Sequence, residues 1–117
     1  MSEVRGSFET LPVDEPYPGV TRRTFSSGNA TFMNYRFVPG ARFPRHTHPQ
    51  EQVTLVQSGT IEMSLGDRLE SLSAGEYSIA APDVEHGITA GEGGASIVAI
   101  VVPRREGSNA YTVVDNS

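Results

Sequence analysis

Four residues have the types and the spacing to bind one metal ion: His46, His48, Gln52 and His86. In an extended strand alternate side chains point to the same face, so His46 and His48 are expected to direct two imidazoles at one point. Gln52 lies four residues after His48 and has the same parity. His86 follows a proline-containing turn far along the chain. We therefore predict that these four side chains meet at a metal ion.

The ligand types indicate which ions this site would take. Neutral imidazole is the commonest metal ligand, and an amide oxygen completes the set. Such ligands suit one divalent first-row ion (Fe, Mn, Ni, Co or Zn) and do not choose between these metals. Open coordination positions would remain for water or a substrate. The chain has no cysteine, which excludes disulfides, thiolate ligands and a catalytic cysteine. For any single histidine, the alternative is a structural residue satisfied by hydrogen bonds.

The composition is that of an ordinary globular protein with one domain. The chain has 117 residues, which is long enough to bury a hydrophobic core. Its net charge of −5 gives no electrostatic support to nucleic-acid binding. The longest apolar run, residues 97–102, is too short to cross a bilayer, and no apolar signal segment follows Met1. We therefore expect a cytoplasmic protein with neither a nucleic-acid nor a membrane partner.

Short runs of alternating or apolar residues, separated by turn residues, predict an all-β sandwich or barrel. We expect the barrel at residues 20–103, after an N-terminal arm (residues 1–19) that lies along the domain or reaches a partner. The tail, residues 104–117, has one further candidate strand. The candidate strands cover residues 21–25, 30–38, 52–57, 60–65, 68–72, 77–81, 86–89, 95–102 and 111–114, with a glycine-rich loop before the strand at 95–102.

The stretch around the histidine pair fits a longer pattern. Gly40 is followed by five residues and then by His46-x-His48, and Gln52 and Gly59 come three and six residues further on. This stretch resembles the first motif of the cupin superfamily, Gly-x5-His-x-His-x3-Glu-x6-Gly. The resemblance implies that His46 and His48 are metal ligands and that Gln52 stands where a cupin usually has its carboxylate ligand.

A second stretch resembles the second cupin motif, Gly-x5-Pro-x-Gly-x2-His. Gly75 opens it and His86 closes it at the matching separation. Between them Ala81 stands at the usual proline, with Pro82 one place later, and Asp83 replaces the glycine. Aspartate tolerates turn geometry, so the turn can form. Together the two motifs imply a double-stranded β-helix, the cupin or jelly-roll barrel, with the metal ligands inside it.

The neutral amide of Gln52 changes what the resemblance implies for the metal. Three imidazoles and one amide leave the charge of a divalent ion uncompensated, which makes the ion a stronger Lewis acid and favours anionic ligands. Glu51 is the alternative carboxylate, but its opposite parity directs it away from the other ligands. We therefore favour Gln52 as the fourth ligand. The remaining alternative is a barrel that has lost its metal.

The combination His-x-His-Pro-x-x-Gln, with His86-Gly87 following, is similar to that of one group of small cupins. The group includes the pectin-degradation cupins that open unsaturated uronates, a bacilysin-pathway isomerase and the cupin hydroxynitrile lyases. In the uronate-opening cupins the last strand ends in Pro-x-Arg, which implies a substrate-binding role for Arg105. That strand also carries a catalytic acid and an aromatic residue, where this chain has Ala99 and Val101. The resemblance therefore does not extend to the residues that would transfer protons.

Two classes of function follow from these observations. We expect an enzyme with one divalent metal that acts on a small carbonyl or carboxylate compound by isomerase or lyase chemistry, or alternatively a metal-dependent dioxygenase. A cupin that binds or senses a small ligand without catalysis is the alternative from the other class, because no internal acid or base is evident. Arg36, if it faces inward, is a second candidate for binding a substrate carboxylate.

Two segments are apolar at positions of both parities and need cover on both faces. Val53 and Leu55 have the opposite parity to Gln52, and residues 97–102 form a nearly continuous apolar run. A second copy of the chain or the N-terminal arm would provide this cover. We therefore expect a homodimer.

Overall fold

The computed structural model describes residues 4–106 and 111–114 of the chain. Within these residues it contains nine strands and one 3₁₀ helix, Phe8–Thr10. The strands are β1 (Asp14–Tyr17), β2 (Val20–Ser26), β3 (Thr31–Phe37), β4 (Arg42–Thr47), β5 (Glu51–Leu65), β6 (Arg68–Ser73), β7 (Tyr77–Ala80), β8 (His86–Val102) and β9 (Thr112–Val113). The predicted all-β fold is confirmed. None of the described segments is a helix with the length and apolarity that a bilayer crossing requires.

The strands form one sheet that folds over along its two longest members, β5 and β8. These two strands pair antiparallel from Glu51 opposite Val102 to Leu65 opposite His86. Near the Glu51 end the sheet continues through β3, β2 and β1 on one side and β7 on the other. Near the Leu65 end it continues through β4 and β9 on one side and β6 on the other. Two long strands shared by two sheet halves give the predicted jelly-roll barrel.

The glycine-rich segment expected to be a loop lies instead within strand β8. This strand runs unbroken through Gly91 and Gly94, and β5 likewise runs through Gly59, where a turn was expected. Gly59 has a φ of 74°, and a Cβ on it would lie 2.0 Å from the carbonyl oxygen of Gly94. The long strands therefore bend and approach each other at a point where only glycine fits. The turn signals in the sequence mark this bend.

The described part of the N-terminal arm lies along the first half of the sheet. β1 pairs antiparallel with β2. The buried guanidinium of Arg22 donates hydrogen bonds of 3.1 and 2.6 Å to the carboxylate of Asp14. The ring of Phe8 packs on that of Phe25, with centroids 5.4 Å apart. At the other end of the chain, β9 pairs with β4 beside His46, which places the described part of the tail at the histidine cluster.

Candidate metal centre

The fold brings the three histidines together inside the barrel. His46 on β4 lies opposite His86, the first residue of β8, and His48 follows the end of β4 directly. The ring centroids are 4.3 Å apart for His46 and His86, 4.7 Å for His48 and His86, and 5.4 Å for His46 and His48. One ring nitrogen of each histidine lies within 4.8 Å of the other two. All three side chains are buried.

Backbone carbonyls fix the tautomer of each histidine. Each Nδ1 lies within hydrogen-bond distance of a carbonyl two residues away: His46 with Pro44 O (2.9 Å), His48 with Gln50 O (3.0 Å) and His86 with Val84 O (2.8 Å). A carbonyl only accepts, so each Nδ1 carries the proton and donates it. In the neutral imidazole the other nitrogen, Nε2, is then left with a lone pair, which is the form that binds a metal.

Gln52 completes the cluster from the far wall of the barrel. Its Oε1 lies 3.0 Å from Nε2 of His48 and 3.1 Å from Nε2 of His86. Its Nε2 donates a hydrogen bond of 3.0 Å to Oγ1 of Thr54, which holds the oxygen towards the histidines. Glu51, the alternative carboxylate, is exposed on the opposite face of β5.

The surroundings keep the imidazoles uncharged. Burial lowers the pKa of His46 to about 3 and that of His86 to about 4, and it also lowers the pKa of His48. The positive charge of Arg105 lowers the pKa of all three histidines further. At neutral pH the cluster therefore presents the lone pairs of three nitrogens and one amide oxygen. Lone pairs at these separations repel one another unless a cation lies between them, so the donor set fits a divalent metal ion.

Arg105 is inside the barrel with the histidines. Its backbone N–H donates a hydrogen bond of 2.9 Å to Oγ1 of Thr31, and its Nη1 lies 3.3 Å from Sδ of Met33. The guanidinium carbon lies 5.5 Å from the centroid of the Tyr111 ring. A buried guanidinium beside a metal site offers a planar, permanently charged group to an anionic ligand.

Arg36 lies outside the barrel, and this corrects the expectation that it faces a substrate. It has the opposite parity to the buried Met33 and Tyr35 of the same strand, so β3 turns it to the outer face. Its side chain is 51% exposed and pairs with the carboxylate of Glu9. The structure therefore does not bring Arg36 to the histidine cluster.

The second motif forms its turn despite its departures. Asp83 has a φ of 67°, the left-handed conformation for which cupins use glycine at this position. Its N–H donates a hydrogen bond of 3.0 Å to the carbonyl oxygen of His48, which ties this turn to the first motif. Ala99 and Val101 are fully buried, so the barrel wall is apolar where the uronate-opening cupins carry an acid and an aromatic residue.

Two residues near the cluster were missed in the sequence analysis. Thr54 has the parity of Gln52 and follows it by two residues, so its position on the inner face was predictable. Tyr111 lies in the tail, and only the fold places its ring 5.1 Å from that of His46. Burial raises the pKa of Tyr111 to about 12, and its hydroxyl lies 3.1 Å from the hydroxyl of Tyr17.

Solved structures share this barrel over most of the chain. A RmlC-like cupin from Shewanella frigidimarina NCIMB 400 is 24% identical with a TM-score of 0.81, covering 90% of this chain and 95% of that one. KdgF from Halomonas sp. is 25% identical with a TM-score of 0.78, covering 87% and 97%. A mutant of Bacillus subtilis oxalate decarboxylase OxdC is 19% identical with a TM-score of 0.89, covering 97% of this chain but only 33% of that one.

A match to a family model assigns the chain to a family, which the structural similarities alone do not. No curated protein sequence matches the chain significantly. The model of the cupin domain matches residues 33–103, more than half of the chain, and this segment holds both motifs and all three buried histidines. The jelly-roll topology agrees with that match. The chain therefore belongs to the cupin domain family.

Proposed function

We propose that this cupin binds one divalent first-row metal ion through Nε2 of His46, His48 and His86 and Oε1 of Gln52. The observation that carries the proposal is the direction of the lone pairs. Each Nδ1 is committed to a backbone carbonyl, which leaves Nε2 of His48 and His86 facing Oε1 of Gln52 at 3.0 and 3.1 Å. Acceptor atoms that face one another at this distance fit a cation placed between them.

We further propose that the bound ion acts on a small compound that carries a carboxylate or carbonyl group. A metal held by four neutral ligands supplies Lewis-acid polarisation of an oxygen atom. Arg105 would bind a carboxylate of that compound, because its guanidinium is permanently charged and lies inside the barrel near the histidines. The similarity to KdgF, to a decarboxylase of oxalate and to the uronate-opening cupins supports this substrate class.

Metal analysis tests the first part of the proposal. We expect about one divalent ion per purified wild-type chain and a large loss of metal in His48→Ala, since three neutral donors are then left to hold the ion. Glu51→Ala is the matched control, because Glu51 adjoins Gln52 in sequence but lies on the outer face. Wild-type protein without stoichiometric metal after incubation with each candidate ion, or equal retention by His48→Ala, would contradict the site.

Turnover assays test the second part. Protein loaded with each metal would be incubated with carbonyl acids and unsaturated uronates, with and without dioxygen. We expect turnover of a carboxylate substrate that falls at least about tenfold in Arg105→Lys, because lysine cannot form the bidentate contact. Dependence on dioxygen would identify the dioxygenase alternative. Turnover that is unchanged in Arg105→Lys would exclude Arg105 as the carboxylate-binding residue.

One observation favours a non-catalytic cupin as the second candidate. Among the described residues no Asp or Glu is buried, so the barrel lacks the carboxylate that commonly serves as a general base. A sensing cupin needs only the metal and Arg105 to hold an anion. Binding of small carboxylates to the metal-loaded protein, measured by calorimetry, without turnover of any of them would favour this candidate.

Two predictions about the surroundings of the protein remain. We propose that it works as a homodimer, because strands β5, β7 and β8 carry exposed or half-buried apolar side chains on their outer face. The cytoplasmic location stays a prediction from the sequence.

A further inference from the structure

Two strong hydrogen-bond donors inside the barrel share one weak acceptor. The hydroxyl of Tyr35 donates a hydrogen bond of 3.4 Å to Sδ of Met33, and Nη1 of Arg105 donates one of 3.3 Å to the same sulfur. All three side chains are buried. A thioether sulfur is a weak acceptor, whereas the guanidinium is charged and bonds best to an anion. A negatively charged oxygen would therefore satisfy both donors better than the sulfur does.

The surrounding side chains hold the two donors in position. The ring of Tyr35 packs edge-on against that of Phe43, with centroids 5.5 Å apart. The backbone N–H of Arg105 is bonded to Oγ1 of Thr31, and its guanidinium lies over the ring of Tyr111. Donors that are already ordered lose little conformational freedom when a ligand binds between them.

A row of inner side chains connects these donors to the metal centre. Met33 on β3 pairs with Ala99 on β8, and Ala99 pairs with Thr54 on β5. Thr54 is the residue that accepts the hydrogen bond from the Gln52 amide. Neighbouring strands are about 4.8 Å apart, so Met33 lies roughly two strand spacings from Thr54. A molecule of a few carbon atoms would span from the donors to the metal ligands.

We propose that Tyr35 is a further substrate-binding residue, which binds a carboxylate together with Arg105. One carboxylate oxygen would accept from the Tyr35 hydroxyl and the other from Nη1 of Arg105, and both would replace Sδ of Met33 as the acceptor. The Met33 side chain has three rotatable bonds, so it can turn away from the donors. This role for Tyr35 rests on the proposed function, in which Arg105 binds a substrate carboxylate.

NMR titration of the full chain with acetate tests the role of Tyr35. The ¹⁵N-labelled protein would be titrated after loading with zinc and again after treatment with a chelator. In both states we expect Tyr35→Phe to raise the dissociation constant of acetate about tenfold, because a hydrogen bond to a charged group is lost. Tyr77→Phe is the matched control: Tyr77 is 63% exposed on β7. It should leave the dissociation constant within about twofold.

Met33→Leu tests whether the carboxylate replaces the sulfur. Leucine conserves the volume but removes the acceptor, so both buried donors lose their shared partner. Acetate should then bind at least about threefold more tightly than to the wild type, because it satisfies donors that are otherwise left without that bond. Acetamide, which has the same shape without the charge, should bind the wild type at least about tenfold more weakly than acetate.

The outcomes separate this proposal from the proposed function. Acetate affinity that is unchanged in Tyr35→Phe but reduced in Arg105→Lys would overturn the role of Tyr35 and leave that of Arg105 intact. An equal affinity in Arg105→Lys would contradict the proposed function itself. Wild-type binding that requires zinc would place the carboxylate on the metal and overturn the proposal. So would weaker binding of acetate by a folded Met33→Leu, with the fold checked by circular dichroism.

Discussion

The two faces of strand β5 differ in a way that reverses the usual pattern of a barrel strand. Towards the interior the strand presents Gln52 and Thr54, which are polar and 4% and 0% exposed. Towards the outside it presents Val53 and Leu55, which are apolar and half-buried or exposed. Neighbouring residues of one strand therefore belong to two separate surfaces, because side chains alternate with a period of two.

The difference shows what each face requires. Buried polar groups cost free energy unless they are bonded, so the inner face needs a fixed hydrogen-bond network, which the proposed cation would complete. Exposed apolar side chains, such as those on the outer face of β5, are stabilised when another apolar surface covers them. If the two faces are independent, a substitution on one should leave the property of the other unchanged.

The largest expected effect is on the pH dependence of the free energy of unfolding of the metal-free protein, which the buried histidines of the inner face should set. An unfolded histidine has a pKa of about 6.5, whereas burial lowers the pKa of His46 to about 3 and that of His86 to about 4 in the fold. As pH falls below about 6.5, the unfolded chain therefore binds protons that the native protein does not. The free energy of unfolding should decrease by up to about 1.4 kcal/mol per pH unit for each histidine.

Urea unfolding of chelator-treated protein between pH 7 and 4.5 measures this slope. His86→Gln should show a shallower dependence than the wild type, because one buried histidine has been removed. Equal slopes would mean that His86 is protonated in the native state.

The next effect compares adjacent residues on opposite faces. Gln52→Glu should raise metal affinity at least about tenfold, because a carboxylate adds attraction for the cation at the position of the amide oxygen. Glu51→Gln should leave the affinity within about twofold, since the exposed side chain is screened by water. Competition with a chromophoric chelator measures both. An equal response of the two variants would contradict the proposal that Gln52 is a metal ligand.

A smaller effect is expected from the residue that orients Gln52. Thr54→Val removes the acceptor of the 3.0 Å hydrogen bond from the Gln52 amide while keeping the side-chain shape. Metal affinity should fall about tenfold, as is typical when a partner of a metal ligand is lost. Leu55→Ala, on the outer face of the same strand, should not change it. Metal affinity that is unaffected in Thr54→Val would show that the amide is oriented in another way.

The smallest effect concerns the tail beside the site. Tyr111→Phe removes the hydroxyl that lies 3.1 Å from that of Tyr17 but keeps the ring beside His46. Stability should fall by about 0.5–1.5 kcal/mol, the usual net value of one hydrogen bond, with metal affinity unchanged. Thermal unfolding and chelator competition measure these two quantities. A loss of metal affinity in this variant would assign Tyr111 to the metal centre.

Local patterns in the sequence predicted the strands and the meeting of the histidines. His46 and His48 share a face because of their parity, and the two glycine-framed motifs predicted that His86 joins them. The same rule predicted the exposure of Glu51. The sequence left the direction of Arg36 open, and the structure turns it to the outer face. The turn predicted at Gly59 and the loop predicted at Gly91 were wrong. Glycine also occurs where two strands approach each other closely, so it does not by itself indicate a turn or a loop.

The sequence by itself determined the all-β fold class and indicated the four residues of the candidate metal centre. The fold class follows from periods within short segments, and the candidate residues follow from their spacing and from the resemblance to the two cupin motifs. The tertiary structure decided what surrounds that centre. Arg105 reaches the histidines because the chain beyond β8 packs against Thr31 and Met33 of β3, and Tyr111 reaches them because the described end of the tail pairs with β4. These features depend on which distant strands pair and in which register. Each strand alone fixes only the parity of its own residues.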